Sequence, residues 1–146
     1  MIYLRRFRPN DLMNIMQLVG MTLGENYHPT FYINLHNFWP EGFIVATIKD
    51  QIVGFILTTI SDPKVARILM LSVYPYYQKR GIASTLMEAI LQQCIHKNIK
   101  LIKLEVRTHN TSAIQFYNKH GFIINQTLVN YYKNNNNAYE MYKYIR

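Results

Sequence analysis

The chain has 146 residues, 49% hydrophobic and 16% charged, with 16 Lys and Arg against 8 Asp and Glu for a net charge of +8. That length fits a single domain over residues 1 to 146 with one core, and the balance excludes a disordered or fibrous chain. No apolar run approaches the roughly 18 to 20 residues of a membrane span, and the start MIYLRRFRPND lacks the apolar stretch of a signal peptide. With the lone Cys94 unable to pair within the chain, a cytoplasmic protein with no membrane partner is expected.

In chain order, IYLRRF reads as a short strand, and Pro9, Asn10 and Asp11 open a helix that runs to about Leu23. A loop, LGENYHP, leads to a short helix over residues 30 to 38, broken by Trp39-Pro40-Glu41-Gly42. GFIVATIKD and QIVGFILTTI are two β-rich runs that pair as a hairpin joined at Asp50-Gln51, and ARILMLSVY follows the Asp62-Pro63 turn as a further strand.

Residues 81 to 97 place Ile82, Leu86, Ile90 and Leu91 on one helical face, with Cys94 expected to be buried beside them. KLIKLEVR alternates, with Ile102, Leu104 and Val106 turned one way and Lys103, Glu105 and Arg107 the other. SAIQFYNKH is a short helix stopped by Gly121, and FIINQTLVNYYK and NAYEMYKYI end the chain as a strand pair around the polar loop NNNN. The result is an α/β fold, a mixed central sheet of six to seven strands flanked by about four helices.

The chemistry concentrates at QKRGIA, residues 78 to 83, where a strand hands over to a helix. A helix start exposes unpaired N–H groups and the positive end of its dipole, and Gly81 lets a ligand approach the backbone closely. The net positive charge favours acidic partners, phosphates foremost. The five histidines lack ligand-like spacing with one another or with acids, so no metal is expected.

LSVYPYYQKRGIASTLMEAIL followed by LEVRTHNTSAIQFYNKHGF resembles the GCN5-related N-acetyltransferase (GNAT) superfamily, whose signature is met by Gln78, Gly81 and Ala83, with Asn110, Ala113, Tyr117 and Gly121-Phe122 in the usual places. LGENYHPTFY, LEVR and NYYKNNNNAYEM look like the branch that acetylates protein N termini: the catalytic subunit of N-terminal acetyltransferase A, its archaeal relatives and the bacterial ribosomal-protein alanine acetyltransferases. The resemblance covers essentially the whole chain. It implies a GNAT fold, acetyl-CoA as cofactor, and direct transfer of its acetyl group to an N-terminal amine in a ternary complex.

The same resemblance implies site residues. Backbone groups of Leu71, Ser72 and Val73 would pair with the pantetheine arm, and the amides of Lys79, Arg80, Gly81, Ile82, Ala83 and Ser84 would take the diphosphate. Gln78 and Asn110 would complete the cofactor site, with Tyr117 as the acid for the departing thiolate. Glu105 is the first candidate for the base and Glu25 the second. Tyr131 and Tyr132, with Tyr139 in the same region, would bind the substrate backbone, and Tyr27 and Phe31 would wall its first side chain.

Relatives often carry a His or Tyr where Arg67 stands. Because Arg stays protonated and cannot be a base, Arg67 is expected to pair with Glu25 or with an acidic substrate side chain. Other readings are an acetyltransferase of the same fold for a small amine or a lysine side chain, a ribosome- or RNA-binding module, and a non-catalytic acyl-CoA sensor. The +8 charge allows ribosome association, and no motif calls for or excludes an auxiliary subunit or dimer partner.

Overall fold

A computed structural model describes residues 1 to 145. Seven strands form one sheet in the order β1-β2-β3-β4-β5-β7-β6: β1 Tyr3–Arg6, β2 Phe43–Ile48, β3 Gln51–Asp62, β4 Val65–Val73, β5 Leu101–Arg107, β6 Ile123–Leu128 and β7 Ala138–Tyr144. Four helices cover it: α1 Leu12–Thr22 and α2 Pro29–Phe38 on one face, α3 Ile82–His96 and α4 Thr111–Lys119 on the other. Among the described residues, no helix is long and apolar enough to cross a membrane.

The sheet separates two apolar layers. Alternation in β2 and β3 sends Ile44, Ala46 and Ile56 toward α3, with its buried Leu86, Met87, Ile90 and Cys94, and sends Phe43, Val45, Phe55 and Leu57 toward α1. Burial pushes the Cys94 thiol up to about 12, so it is inert packing. Buried Asp11, at the head of α1, receives Arg5 through two hydrogen bonds of 2.8 and 2.9 Å and the Arg8 N–H at 2.8 Å.

Two expected boundaries move. The hairpin turns at Lys49-Asp50, both with positive φ (50° and 66°), and Gln51 already belongs to β3. The strand expected through residue 133 ends at Leu128, because the chain turns through Asn130 in the left-handed region (φ 55°). Tyr131 and Tyr132 therefore lie on the β6–β7 loop and not in a strand.

The feature that makes a site is the parting of β4 from β5. They pair in parallel only from Val65↔Leu101 to Arg67↔Lys103. Just beyond, Leu57 pairs with Met70 but Thr58 with Ile68, which leaves Leu69 as an extra residue in β4. Leu69 and Met70 consequently both pack on the α1 side, the mark of a bulge. A bulge bends its strand, and the strands splay into a cleft.

Candidate active site

A cavity of about 540 Å³ occupies the splay and opens between the end of β4 and helices α3 and α4, a size ordinary for ligand clefts. Eleven of the twelve expected cofactor residues line it: Leu71, Ser72, Val73, Gln78, Lys79, Gly81, Ile82, Ala83, Ser84, Asn110 and Tyr117. Arg80 does not, because its guanidinium stacks over Tyr76 and Tyr77 at 5.0 and 5.4 Å from the ring centroids. The lining also includes Ala113 of the sequence motif, together with Tyr77, Ser112, Phe116 and Lys119, which sequence reasoning missed.

The local geometry follows from the backbone. Lys79 and Gly81 both take positive φ (63° and 84°), turning the amides ahead of α3 into the cavity mouth. The first bond of α3 runs from Thr85 N–H to the Gly81 carbonyl at 3.0 Å, so the N–H groups of Ile82, Ala83 and Ser84 are the free donors of a helix start. A Cβ on Gly81 would meet nothing within 4 Å, so space above this turn is open to a ligand. Gln78 Nε2 donates to the Val73 carbonyl at 2.9 Å and ties the turn to β4.

Asn110 Oδ1 accepts from the Ala113 N–H at 3.2 Å and caps α4, leaving its Nδ2 donors for the cleft. Tyr117 packs edge-on against Phe116 and Phe122. Burial, assisted by nearby Tyr132, pushes its phenol well above the usual 10, so it keeps its proton at any physiological pH.

The opposite face of the sheet carries the second half. Arg67 donates from Nε to Glu105 Oε1 at 2.7 Å, with Nη2 at 2.6 Å from the same oxygen, and Nη2 also donates to the Tyr131 hydroxyl at 2.8 Å. The expected pairing of Arg67 with Glu25 is thus overturned: the parallel register sets Arg67 opposite Lys103, one step along the same face from Glu105. The Tyr131 hydroxyl in turn donates to Glu105 Oε1 at 3.5 Å, so the contacts to Glu105, whose side chain is 10% exposed, all fall on Oε1.

Glu25 instead accepts from the Tyr27 hydroxyl at 2.8 Å, and Tyr27 stacks on Phe31 at 4.5 Å. Burial and that bond to Glu25 push the Tyr27 phenol up to about 12. Tyr132 lies under the Arg107 guanidinium, 3.9 Å from the ring centroid, and burial raises it to about 12, with Tyr131, Glu105 and Glu25 adding to the shift. Both carboxylates and the tyrosine pair therefore share one neighbourhood, and Tyr132 links it electrostatically to Tyr117 across the splay.

The asparagine loop does more than solvate a turn. Asn137 Oδ1 accepts from the Asn130 N–H at 2.9 Å, and Asn134 Oδ1 accepts from Arg107 at 3.3 Å, bracing the segment that carries the tyrosines. Tyr139 is apart from them. It pairs with Val106 in the register of β5 and β7 and so packs into the core on the α3 side.

Residues 12–122 match the model of the acetyltransferase (GNAT) family. The chain belongs to that family. It is 31% identical over 150 residues to an N-alpha-acetyltransferase of Saccharolobus solfataricus, covering 94% of this chain and 90% of that protein. The structure of Ard1 from Thermoplasma volcanium superposes with a TM-score of 0.95 at 37% identity, covering 99% and 98% of the two chains. Arabidopsis thaliana Naa50, in complex with the bisubstrate analogue CoA-Ac-MVNAL, gives 0.90 at 30% identity with 99% of each covered. For a family that uses acetyl-CoA, the open turn at Gly81 and the free amides of α3 are a fitting seat for the nucleotide's phosphates.

Proposed function

We infer that the protein is an acetyl-CoA-dependent N-terminal acetyltransferase, a single domain that moves the acetyl group directly to the α-amine of a protein or peptide chain in the cytoplasm. One observation carries this: a cleft lined by free helix amides on one face of the sheet meets, at the splay of β4 and β5, a carboxylate and tyrosine cluster on the other. The named relatives support the same reading.

Acetyl-CoA, when bound, supplies a thioester whose carbonyl carbon accepts the amine nitrogen while the C–S bond breaks. The chain's own residues do the rest. The amides of residues 79 to 84 hold the diphosphate, the free edge of Leu71 to Val73 aligns the pantetheine arm, and Asn110 Nδ2 adds a donor. Tyr117, kept protonated by burial, gives its proton to the departing thiolate. Glu105, gripped at Oε1 by Arg67 and Tyr131, receives the ammonium proton at Oε2 directly or through water. Glu25, Tyr27 and Phe31 border the place of the first residue, and Tyr131 and Tyr132 border the backbone that follows.

The α-amine is favoured over lysine by proton affinity. An α-ammonium has a pKa of about 7.8 and a lysine of about 10.4, so freeing the lysine costs about 3.5 kcal/mol more at a given pH. The test is CoA release from acetyl-CoA with three acceptors: a lysine-free peptide with a free N terminus, an N-terminally blocked peptide containing lysine, and spermidine. Turnover confined to the first is expected. Faster turnover of either of the others would overturn the assignment.

A further inference from the structure

Behind the cofactor cleft, three side chains outside the reaction centre stand in a row. Ser84, on the cavity lining in the first turn of α3, has its Oγ 3.0 Å from Nε2 of His120. The other ring nitrogen, Nδ1, lies 3.6 Å from Glu88 Oε1, one turn further along α3. The His120 ring packs 4.6 Å from Phe116 and its side chain is 9% exposed. The charged groups around it are Glu88 of α3, neighbouring Lys119, and Lys143 of β7, whose Nζ lies close above Gly121. Burial and the two lysines outweigh Glu88 and hold the imidazole below its usual 6.5, so it is neutral at neutral pH.

Serine, histidine and carboxylate in this order can activate a nucleophile. Here Ser84 stands on the diphosphate stretch and not beside the thioester, so its hydroxyl is placed to bind and not to attack.

We propose that His120 is a positioning residue for the cofactor diphosphate, deciding through Nε2 whether the Ser84 hydroxyl turns a proton or a lone pair toward the cleft. The proposal rests on the reading of residues 79 to 84 as the diphosphate seat. With Glu88 beside Nδ1 the neutral ring carries its proton there, and Nε2 accepts from Ser84. The serine then shows only lone pairs to an anion. Once His120 is protonated, Nε2–H donates to Ser84 Oγ, and the hydroxyl hydrogen is released to a phosphate oxygen.

The direction of the pH effect follows. A diphosphate favours the protonated ring and raises its pKa in the complex, so the gain in affinity is complete below the free-protein pKa and lost as pH rises through the value in the complex. The probe is dephospho-CoA, which keeps the diphosphate, ionised throughout, but lacks the 3′-phosphate whose own ionisation near about pH 6 would interfere.

Calorimetric titration between about pH 8 and about pH 5.5 is expected to show about tenfold tightening, the worth of one hydrogen bond to a charged group. His120→Gln, whose amide does not titrate, should be flat across the range, and Ser84→Ala flat near the weak value. Acetyl-pantetheine, without the diphosphate, should be flat for all three proteins. Parallel slopes for parent and His120→Gln, or the same slope with acetyl-pantetheine, would overturn the role of His120. No binding of dephospho-CoA at any pH would instead remove the diphosphate seat itself.

Discussion

The wall that carries residues 79 to 84 and the face that carries Arg67, Glu105 and Tyr131 lie on opposite sides of one sheet, and they are built differently. The first is made of backbone: consecutive residues whose amides are turned inward by two positive φ angles and a helix start. Among its side chains, Arg80 turns away to its tyrosines and Ser84 pairs with His120. The second is made of side chains from five separate segments, joined by an ion pair, hydrogen bonds and stacked rings. Apart from Ser84, a backbone site of this kind tolerates side-chain exchange but not a change of conformation. A side-chain site is the reverse.

The largest effect is expected where the two halves meet. Tyr117→Phe removes the phenolic hydroxyl proposed as proton donor and keeps the ring packing, so turnover should fall about 1000-fold with acetyl-CoA affinity unchanged. Because burial raises this phenol, the parent's rate should show no alkaline decline from Tyr117 up to the ordinary tyrosine range; a decline there that Tyr117→Phe abolishes would contradict its placement. Steady-state rates across pH read both.

Next is the backbone wall. Gly81→Ala meets no steric neighbour but must hold φ 84°, at a cost of about 1 to 2 kcal/mol. Acetyl-CoA should bind about tenfold more weakly, while the rate at saturation stays within about twofold. Unchanged affinity would mean the turn does not seat the nucleotide.

Asp11 lies far from both walls. Burial opposes its charge, but the bonds from Arg5 and Arg8 hold its carboxyl below the usual range. Its contribution is therefore present above the ordinary carboxylate range and lost as pH falls through the lowered native value. Asp11→Asn should lower unfolding stability by about 2 kcal/mol at pH 7 with little effect on turnover. Denaturant melts at neutral and acid pH check this, the difference narrowing in acid.

The backbone wall was legible in the sequence because its signals are local: Gln78, Gly81 and Ala83 between an apolar run and a helical pattern, and Asn110 as a cap. The alternation of Ile102, Leu104 and Val106 likewise assigned Glu105 to the polar face. What stayed hidden depends on register and distance. The β4 bulge falls within Ile68-Leu69-Met70-Leu71, a uniformly apolar run with no break to mark it. The bond from Arg67 to Glu105 needs the parallel pairing of two distant strands. Tyr139 was grouped with Tyr131 and Tyr132 by proximity in sequence, but its pairing with Val106 turns it to the other side. The end of β6 at Leu128 hides because Val129 is still apolar and the chain leaves the strand only where Asn130 takes a left-handed turn.

The most direct measurement of the separation between the two walls is an equilibrium titration of Glu105→Gln with acetyl-CoA, on protein whose turnover is measured alongside. Turnover about 100-fold below the parent with an acetyl-CoA dissociation constant within about twofold of it is the expected result. A dissociation constant weakened in step with the rate would show that Glu105 supports the cofactor and not the amine, and would contradict the division of labour between the two faces.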